Sequence, residues 1–174
     1  MRVLALLAIL LVSACAPMVQ SPAMPSAAFA GPHIEKDAFV SFDGARLGLT
    51  QWAPEDREPW AVIIALHGMN DYAAHFHLAG EYWAGQGIAT YAYDQRGYGR
   101  SPHRGLWPGE DLIVRDIRTM TALVRAKHPN AVVAVVGVSM GGAGAIAAFS
   151  SDDPPDADRL VLLAPAVWGW SAQP

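Results

Sequence analysis

The chain has 174 residues, 52% of them hydrophobic and 16% charged, with a formal net charge of −4. That balance suits one compact domain and excludes disordered and fibrous classes. No basic cluster marks a nucleic-acid footprint. The single cysteine excludes a disulfide framework and a cysteine-based zinc site.

The first 15 residues, MRVLALLAILLVSAC, carry one early Arg2, an apolar run from Val3 to Val12, and small residues before Cys15. The run is shorter than the roughly 20 residues that span a bilayer and fits a secretory leader. Val12-Ser13-Ala14-Cys15 resembles the bacterial lipobox, whose cysteine is lipidated and becomes the new N-terminus. The resemblance implies a leader over 1–14, an N-terminal lipid anchor on Cys15, and a place in the bacterial cell envelope, facing the periplasm or exterior. Ala28-Phe29-Ala30 is the alternative cleavage site, for an ordinary leader with an incidental cysteine. Residues 15–33, rich in Ala, Pro and Ser, read as a flexible tether, and residues 34–174 as the domain.

From Glu35 the pattern becomes that of an α/β domain. Ala38–Phe42 alternates and meets Asp43-Gly44, a hairpin signal, and Arg46–Trp52 alternates again. Trp60–Leu66 is a continuous apolar run, as expected of a strand covered on both faces. Tyr72–Gln86 reads as a helix stopped by Gly85 and Gly87, and Ile88–Tyr93 as the next strand. Glu110–His128 reads as a helix with Leu112, Ile113, Ile117, Met120, Leu123 and Val124 on one side. Ala131–Val136 is a strand, Met140–Phe149 a helix of small residues, and Leu160–Leu163 a last strand. Strands separated by single helices imply right-handed crossovers and a mostly parallel sheet with helices on both faces.

In such a sheet ligands bind beyond the carboxyl ends of the strands. Three segments fall there: the loop after Leu66, the loop after Tyr93, and Gly137-Val138-Ser139-Met140-Gly141. The last places a serine on a strand-to-helix turn with a glycine two residues to either side, the spacing of a nucleophile elbow. The turn needs glycines because neighbouring backbone must come close. A serine N-cap is the structural alternative. An acylation site also needs an oxyanion hole. The backbone N–H of Met140, the residue after the serine, is one expected donor, and that of Met69, after Gly68 in Leu66-His67-Gly68-Met69-Asn70, is the other. His75 and His77, two apart on a helix, face different sides and do not form the i, i+4 pair of a zinc helix. No metal or cofactor is implied.

The segments LHGMNDYAAHF, YAYDQRGYGRS, GVSMGGAGA and LVLLAPAV, in that order, resemble the α/β-hydrolase superfamily. They are most similar to its monoacylglycerol lipase and lysophospholipase-like group, also described as serine aminopeptidase-like hydrolases. The resemblance runs from about Asp37 to Trp168. It implies Ser139 as nucleophile, Met69 and Met140 as oxyanion donors, and an ester or lipid substrate such as a monoacylglycerol or lysophospholipid. It also implies that Asp94, Arg96, Gly97, Gly99 and Ser101 form a structural loop beside the elbow, not part of the catalytic triad.

The family order is Ser, then Asp or Glu, then His. Here all 6 histidines precede Ser139, at 33, 67, 75, 77, 103 and 128. Asp152, Asp153, Asp156 and Asp158 fall before the place of the acid. The chain therefore reads as the N-terminal part of a longer protein, truncated before the lid and last strands and lacking the triad Asp and His. His67 and His103 are the nearest substitutes for the base. Trp168 and Trp170 stand where a lid would begin. A non-catalytic lipoprotein that keeps the fold as a binding module, or an inactive fragment, is the rival reading; oligomeric state is left open.

Overall fold

The computed structural model describes residues 18–167. The expected leader, Cys15, Trp168 and Trp170 lie outside them. Seven strands form one sheet: β1 (His33–Ile34), β2 (Ala38–Val40), β3 (Arg46–Trp52), β4 (Ala61–Leu66), β5 (Ile88–Tyr93), β6 (Val132–Val138) and β7 (Arg159–Leu163). Their order is β1-β2-β3-β5-β4-β6-β7. The first three run antiparallel, and β5, β4, β6 and β7 run parallel. The helices are α1 (His77–Gly85), preceded by a 3-10 turn at Ala73–Phe76, α2 (Glu110–Lys127) and α3 (Met140–Phe149).

The apolar run of β4 is buried throughout because both faces are covered. Val62, Ile64 and Leu66 point to one face and join Ile117, Met120 and Val133, the side of α2 and α3. Ile63 and Ala65 point to the other and join Ala92 and Val136, with Trp52, Phe76 and Trp83 packed on from the α1 side. The period of two along the strand thus feeds two cores separated by the sheet. The architecture is the mostly parallel sheet with helices on both faces that the pattern implied, and it fits the resemblance to the α/β-hydrolases.

Several element boundaries differ from expectation, most by one or two residues. Strand β2 stops at Val40, because Ser41 and Asp43 build the turn: the Gly44 N–H donates to the Ser41 carbonyl and Asp43 Oδ1 accepts from the Ala45 N–H at 3.1 Å. The helix expected from Tyr72 opens as a tight 3-10 turn whose Ala73 N–H is held by the Asp94 carboxylate at 2.6 Å. The short strand β1 lay within and beside the proposed tether and was not anticipated. Nor is residues 18–33 a free tether. The Gln20 N–H donates to the Trp107 carbonyl at 2.9 Å, the Ala23 N–H to Asp43 Oδ2 at 2.7 Å, and the Gln20 side chain is buried. Backbone groups satisfied by partners far along the chain hold this segment against the domain.

At the far edge, β7 pairs with β6 alone among the described residues. Val161, Leu162 and Leu163 there are 42%, 37% and 48% exposed. An apolar edge of this kind is one that folded proteins ordinarily cover.

Candidate active site

Ser139 sits between β6 and α3 with φ 49° and ψ −114°, a backbone conformation that side-chain-bearing residues rarely adopt. The turn is held from three directions. The Ser139 N–H donates to the Leu163 carbonyl, and the Ser139 carbonyl accepts from Ala143 and Ala166, all at 3.0–3.1 Å. The flanking glycines are sterically required. A Cβ on Gly137 would lie 2.7 Å from the Gly141 carbonyl oxygen, and one on Gly141 2.7 Å from that of His67. Distances below 3.0 Å to backbone leave no room for any side chain. The hydroxyl makes no capping hydrogen bond to α3. The N-cap alternative therefore fails, and the half-buried serine is presented at the carboxyl rim of the sheet.

Opposite the serine lies the loop after β4. A Cβ on Gly68 would stand 3.4 Å from Ser139 Cβ and 4.0 Å from its Oγ. Met69 follows, 62% exposed, whereas Met140, first residue of α3, is buried. As the first helical residue, Met140 has an N–H with no partner within the helix.

His67 orders this loop. It is buried, its Nε2 accepts from the Gln95 N–H at 2.9 Å, and its Nδ1 therefore donates to the Gly68 carbonyl at 2.7 Å. Burial holds the imidazole below its usual range, against the pull of the Gly68 carbonyl and of Asp94 and Asp71. A neutral ring with both nitrogens committed is a positioning group and does not serve as a base for Ser139. His103 is exposed on its loop with φ 57°.

Asp94 is tied as firmly. Its Oδ1 accepts from Ala73 N–H, its Oδ2 from the Arg100 N–H and Nε at 2.9 Å each, and its carbonyl from the Ser101 hydroxyl. Arg96, two residues on, is buried between two carboxylates: Asp116 at 2.7 and 2.8 Å and Asp43 at 2.8 Å twice. Burial raises the Asp116 carboxyl, with Arg96 and Ser41 pulling the other way. For Asp43 burial is the largest single influence, but the bonds from Arg96, Ala23 and Ala45 together hold it below its usual range. The loop after β5 is thus a bonded scaffold.

Two hollows flank the serine turn. One, of about 240 Å³, is lined by His67, Asp71, His75, Phe76 and Val138. There Asp71 Oδ1 and His75 Nδ1 are 2.6 Å apart, a pairing that the sequence analysis did not anticipate. The i, i+4 spacing of an acid and a histidine was the available signal. The other hollow, of about 130 Å³, is mainly apolar and lined by Met140, Trp107, Ile113 and Gly144, with Glu110 beside them. A larger depression of about 700 Å³, lined by Glu55, Asp56, Arg57 and Glu81, lies at the opposite rim without a nucleophile.

Fold and turn together define an α/β-hydrolase. The family model described as Serine aminopeptidase, S33 matches residues 57–174, and the chain belongs to that family. Among curated relatives, a "Monoacylglycerol lipase" of Mycolicibacterium smegmatis is 33% identical over 132 residues, covering 75% of this chain and 46% of the relative. A "Monoglyceride lipase" of Homo sapiens is 26% identical over 137 residues, covering 78% and 45%. The chain spans less than half the length of these relatives. Among solved structures, a "Lipase (Open form)" superposes with a TM-score of 0.63 at 21% identity, covering 74% of this chain and 43% of that one. XC6422 from Xanthomonas campestris, described as an a/b serine hydrolase without lid, gives 0.61 at 20% identity, covering 88% and 70%. Both of these sequence relatives are named as lipases.

Proposed function

We propose that the protein is a serine hydrolase of carboxylic esters in which Ser139 attacks the acyl carbon. The backbone N–H groups of Met69 and Met140 then hold the developing oxyanion, each contributing on the order of 3–4 kcal/mol to the transition state. The observation that carries this reading is the strained, uncapped Ser139 facing the Gly68 loop at the sheet rim. A hydroxyl at an α-helix N-terminus gains further from the helix dipole as negative charge develops.

The substrate is a monoacylglycerol or lysophospholipid. The curated relatives support this, and so does the pairing of an apolar hollow at Met140 with a polar one at Asp71 and His75. The first suits acyl carbons and the second a hydroxylated headgroup. His67 and Asp94 are both engaged elsewhere, and the family order of Ser, then Asp or Glu, then His supports a base and an acid that follow Ser139. A lipid on Cys15 holds the protein to the membrane that supplies the substrate. Stable anchoring takes more than one acyl chain, which bacterial lipoproteins carry.

Hydrolysis of monoacylglycerol by the complete gene product, beside a peptide amide of matched acyl group, tests the assignment. Ester turnover that falls by about 10³-fold or more in Ser139→Ala supports it; turnover of the amide alone, or unchanged turnover in the variant, overturns it. For the anchor, Cys15→Ser is expected to leave the membrane fraction in high salt.

A further inference from the structure

The family match begins at residue 57, and the strap of residues 18–30 lies ahead of it. The strap is nonetheless fastened along its length. The Gln20 N–H donates to the Trp107 carbonyl at 2.9 Å, and the Gln20 side-chain amide to the Leu106 carbonyl. Val19 bridges to Trp107, and the Ala23 N–H donates to Asp43 Oδ2 at 2.7 Å. Further on, a Cβ on Gly44 would lie 3.3 Å from Pro25 Cα and 3.6 Å from the Phe29 ring.

Leu106 and Trp107 lie in the loop that leaves the carboxyl end of β5 and enters the amino end of α2, on the rim that carries Ser139. Within that loop the Gly97 N–H donates to the Pro102 carbonyl, the Gly105 N–H to Gly97 and the Leu106 N–H to His103. These bonds tie the loop to itself. The carbonyls of Leu106 and Trp107 instead accept from Gln20, whose side chain is buried. Gly97 closes over this junction: a Cβ there would stand 2.5 Å from the Leu106 oxygen and 3.1 Å from Gln20 Nε2. Trp107 is in turn one wall of the apolar hollow of about 130 Å³ beside Met140, the residue after the serine, with Glu110 exposed beside it.

We propose that Gln20 is a positioning residue for this hollow: by holding two successive carbonyls it sets where Trp107 stands, and so how well the site binds a long acyl chain. Gln20 acts through Trp107 and touches no substrate itself. Two hydrogen bonds from one residue fix both the place and the tilt of the peptide that carries the indole. Without the side-chain bond the wall is free to swing away, and an acyl chain loses the contacts it makes there. Those contacts lie away from the reacting carbonyl and are alike in ground and transition states, so their loss raises KM and spares kcat. The proposal rests on the ester-hydrolase reading for the acyl chain, whereas the coupling of Gln20 to Trp107 requires no Ser139 chemistry.

The test uses the complete gene product carrying Gln20→Met, which keeps the backbone bond and most of the volume but removes the side-chain donor. With p-nitrophenyl decanoate, KM is expected to rise about tenfold while kcat holds. With p-nitrophenyl acetate, which has no chain to place in the hollow, both constants are expected to hold. Trp107→Ala, which removes the wall itself, is expected to give the same split, and Met18→Ser, at an exposed strap residue, no change. An equal loss on both esters, or an unchanged decanoate KM in Gln20→Met or Trp107→Ala, overturns the proposal. Binding is read apart from turnover in Ser139→Ala, where decanol is expected to perturb the Trp107 emission, taken as the difference from the same protein with Trp107→Phe. Adding Gln20→Met is expected to raise the decanol concentration needed about tenfold. No response, or one that Gln20→Met leaves unmoved, overturns the proposal. The expected response in a protein whose parent hydrolyses neither ester upholds the coupling and counts against the catalytic reading alone.

Discussion

His67 and Gln95 are joined twice: the Gln95 N–H donates to His67 Nε2 at 2.9 Å, and the Gln95 side-chain amide to the His67 carbonyl at 2.7 Å. The pair fastens the loop after β4 to the loop after β5 and so fixes the Gly68 turn over Ser139. Replacing His67 by Ala leaves a buried N–H without a partner and a void, and is expected to cost about 2–4 kcal/mol in urea unfolding. The ring is held below its usual pKa range by burial, so the unfolded chain takes up a proton first as the pH falls. The stability this group contributes is present above about pH 6.5 and declines below it. His67→Gln is expected to flatten the loss of stability between about pH 7 and 5, in part only, since burial depresses His128 as well. An unchanged slope would show that the imidazole is not neutral in the fold.

Gly68 and Gly141 face the same turn but respond oppositely to a methyl group. At Gly68 a Cβ meets Ser139 Cβ at 3.4 Å, an ordinary contact, and Oγ at 4.0 Å. Gly68→Ala is expected to fold with less than about 1 kcal/mol lost while slowing the reaction of Ser139 with a phosphonate probe. At Gly141 the same methyl meets the Leu66 and His67 carbonyls. Gly141→Ala is expected to lose its cooperative melting transition. Equal stability of the two variants would contradict the packing of the turn.

The left-handed backbone at Ser139 yields a stability prediction separate from chemistry. Strain of this kind costs on the order of 1–3 kcal/mol, and glycine releases it at an entropic cost of about 0.5–1 kcal/mol. Ser139→Gly is therefore expected to melt higher than Ser139→Ala, by the equivalent of about 1 kcal/mol. The reverse order would mean that the turn is unstrained.

Arg96 holds Asp43 and Asp116 in the core, and Arg96→Met strands both carboxylates. The expected loss is about 3–5 kcal/mol near pH 7. In the parent, the stability from Asp43 is full above its unfolded pKa, about 3.9, and is lost as the pH falls through its lower folded value. Asp116, raised by burial, has the opposite sign: its contribution is full below the unfolded value and is lost as the pH rises through the folded one. Without the guanidinium both acids shift upward, so the gap between variant and parent is expected to narrow from pH 7 toward pH 4. A constant gap in denaturant titrations at the two pH values would show that charge is not what Arg96 supplies.

What was legible in the sequence was what local spacing controls. The bounds of the Met140–Phe149 helix, the apolar run from Trp60 to Leu66 that contains β4 and the two glycines around Ser139 each follow from neighbours a few residues apart. The bonds that make the site rigid were not legible, because their partners are distant. Ser41 and Asp116 are 75 residues apart, and His67 and Gln95 are 28 apart. Asp116 did leave a trace, as a carboxylate among Leu112, Ile113, Ile117 and Met120 on the buried side of α2. The Ala- and Pro-rich residues ahead of β1 carry no period to show that they pack. Their docking depends on Asp43 and on the Leu106–Trp107 carbonyls, which only the folded chain presents.

Peptide mass mapping after treatment with a fluorophosphonate bears most directly on whether Ser139 is the nucleophile. An attacking hydroxyl beside two backbone donors gives a phosphonate adduct on the Ser139 peptide, absent from Ser139→Ala, and selective even where reaction is slow for want of a base. Adducts spread over other serines, or labelling undiminished in Ser139→Ala, would contradict it.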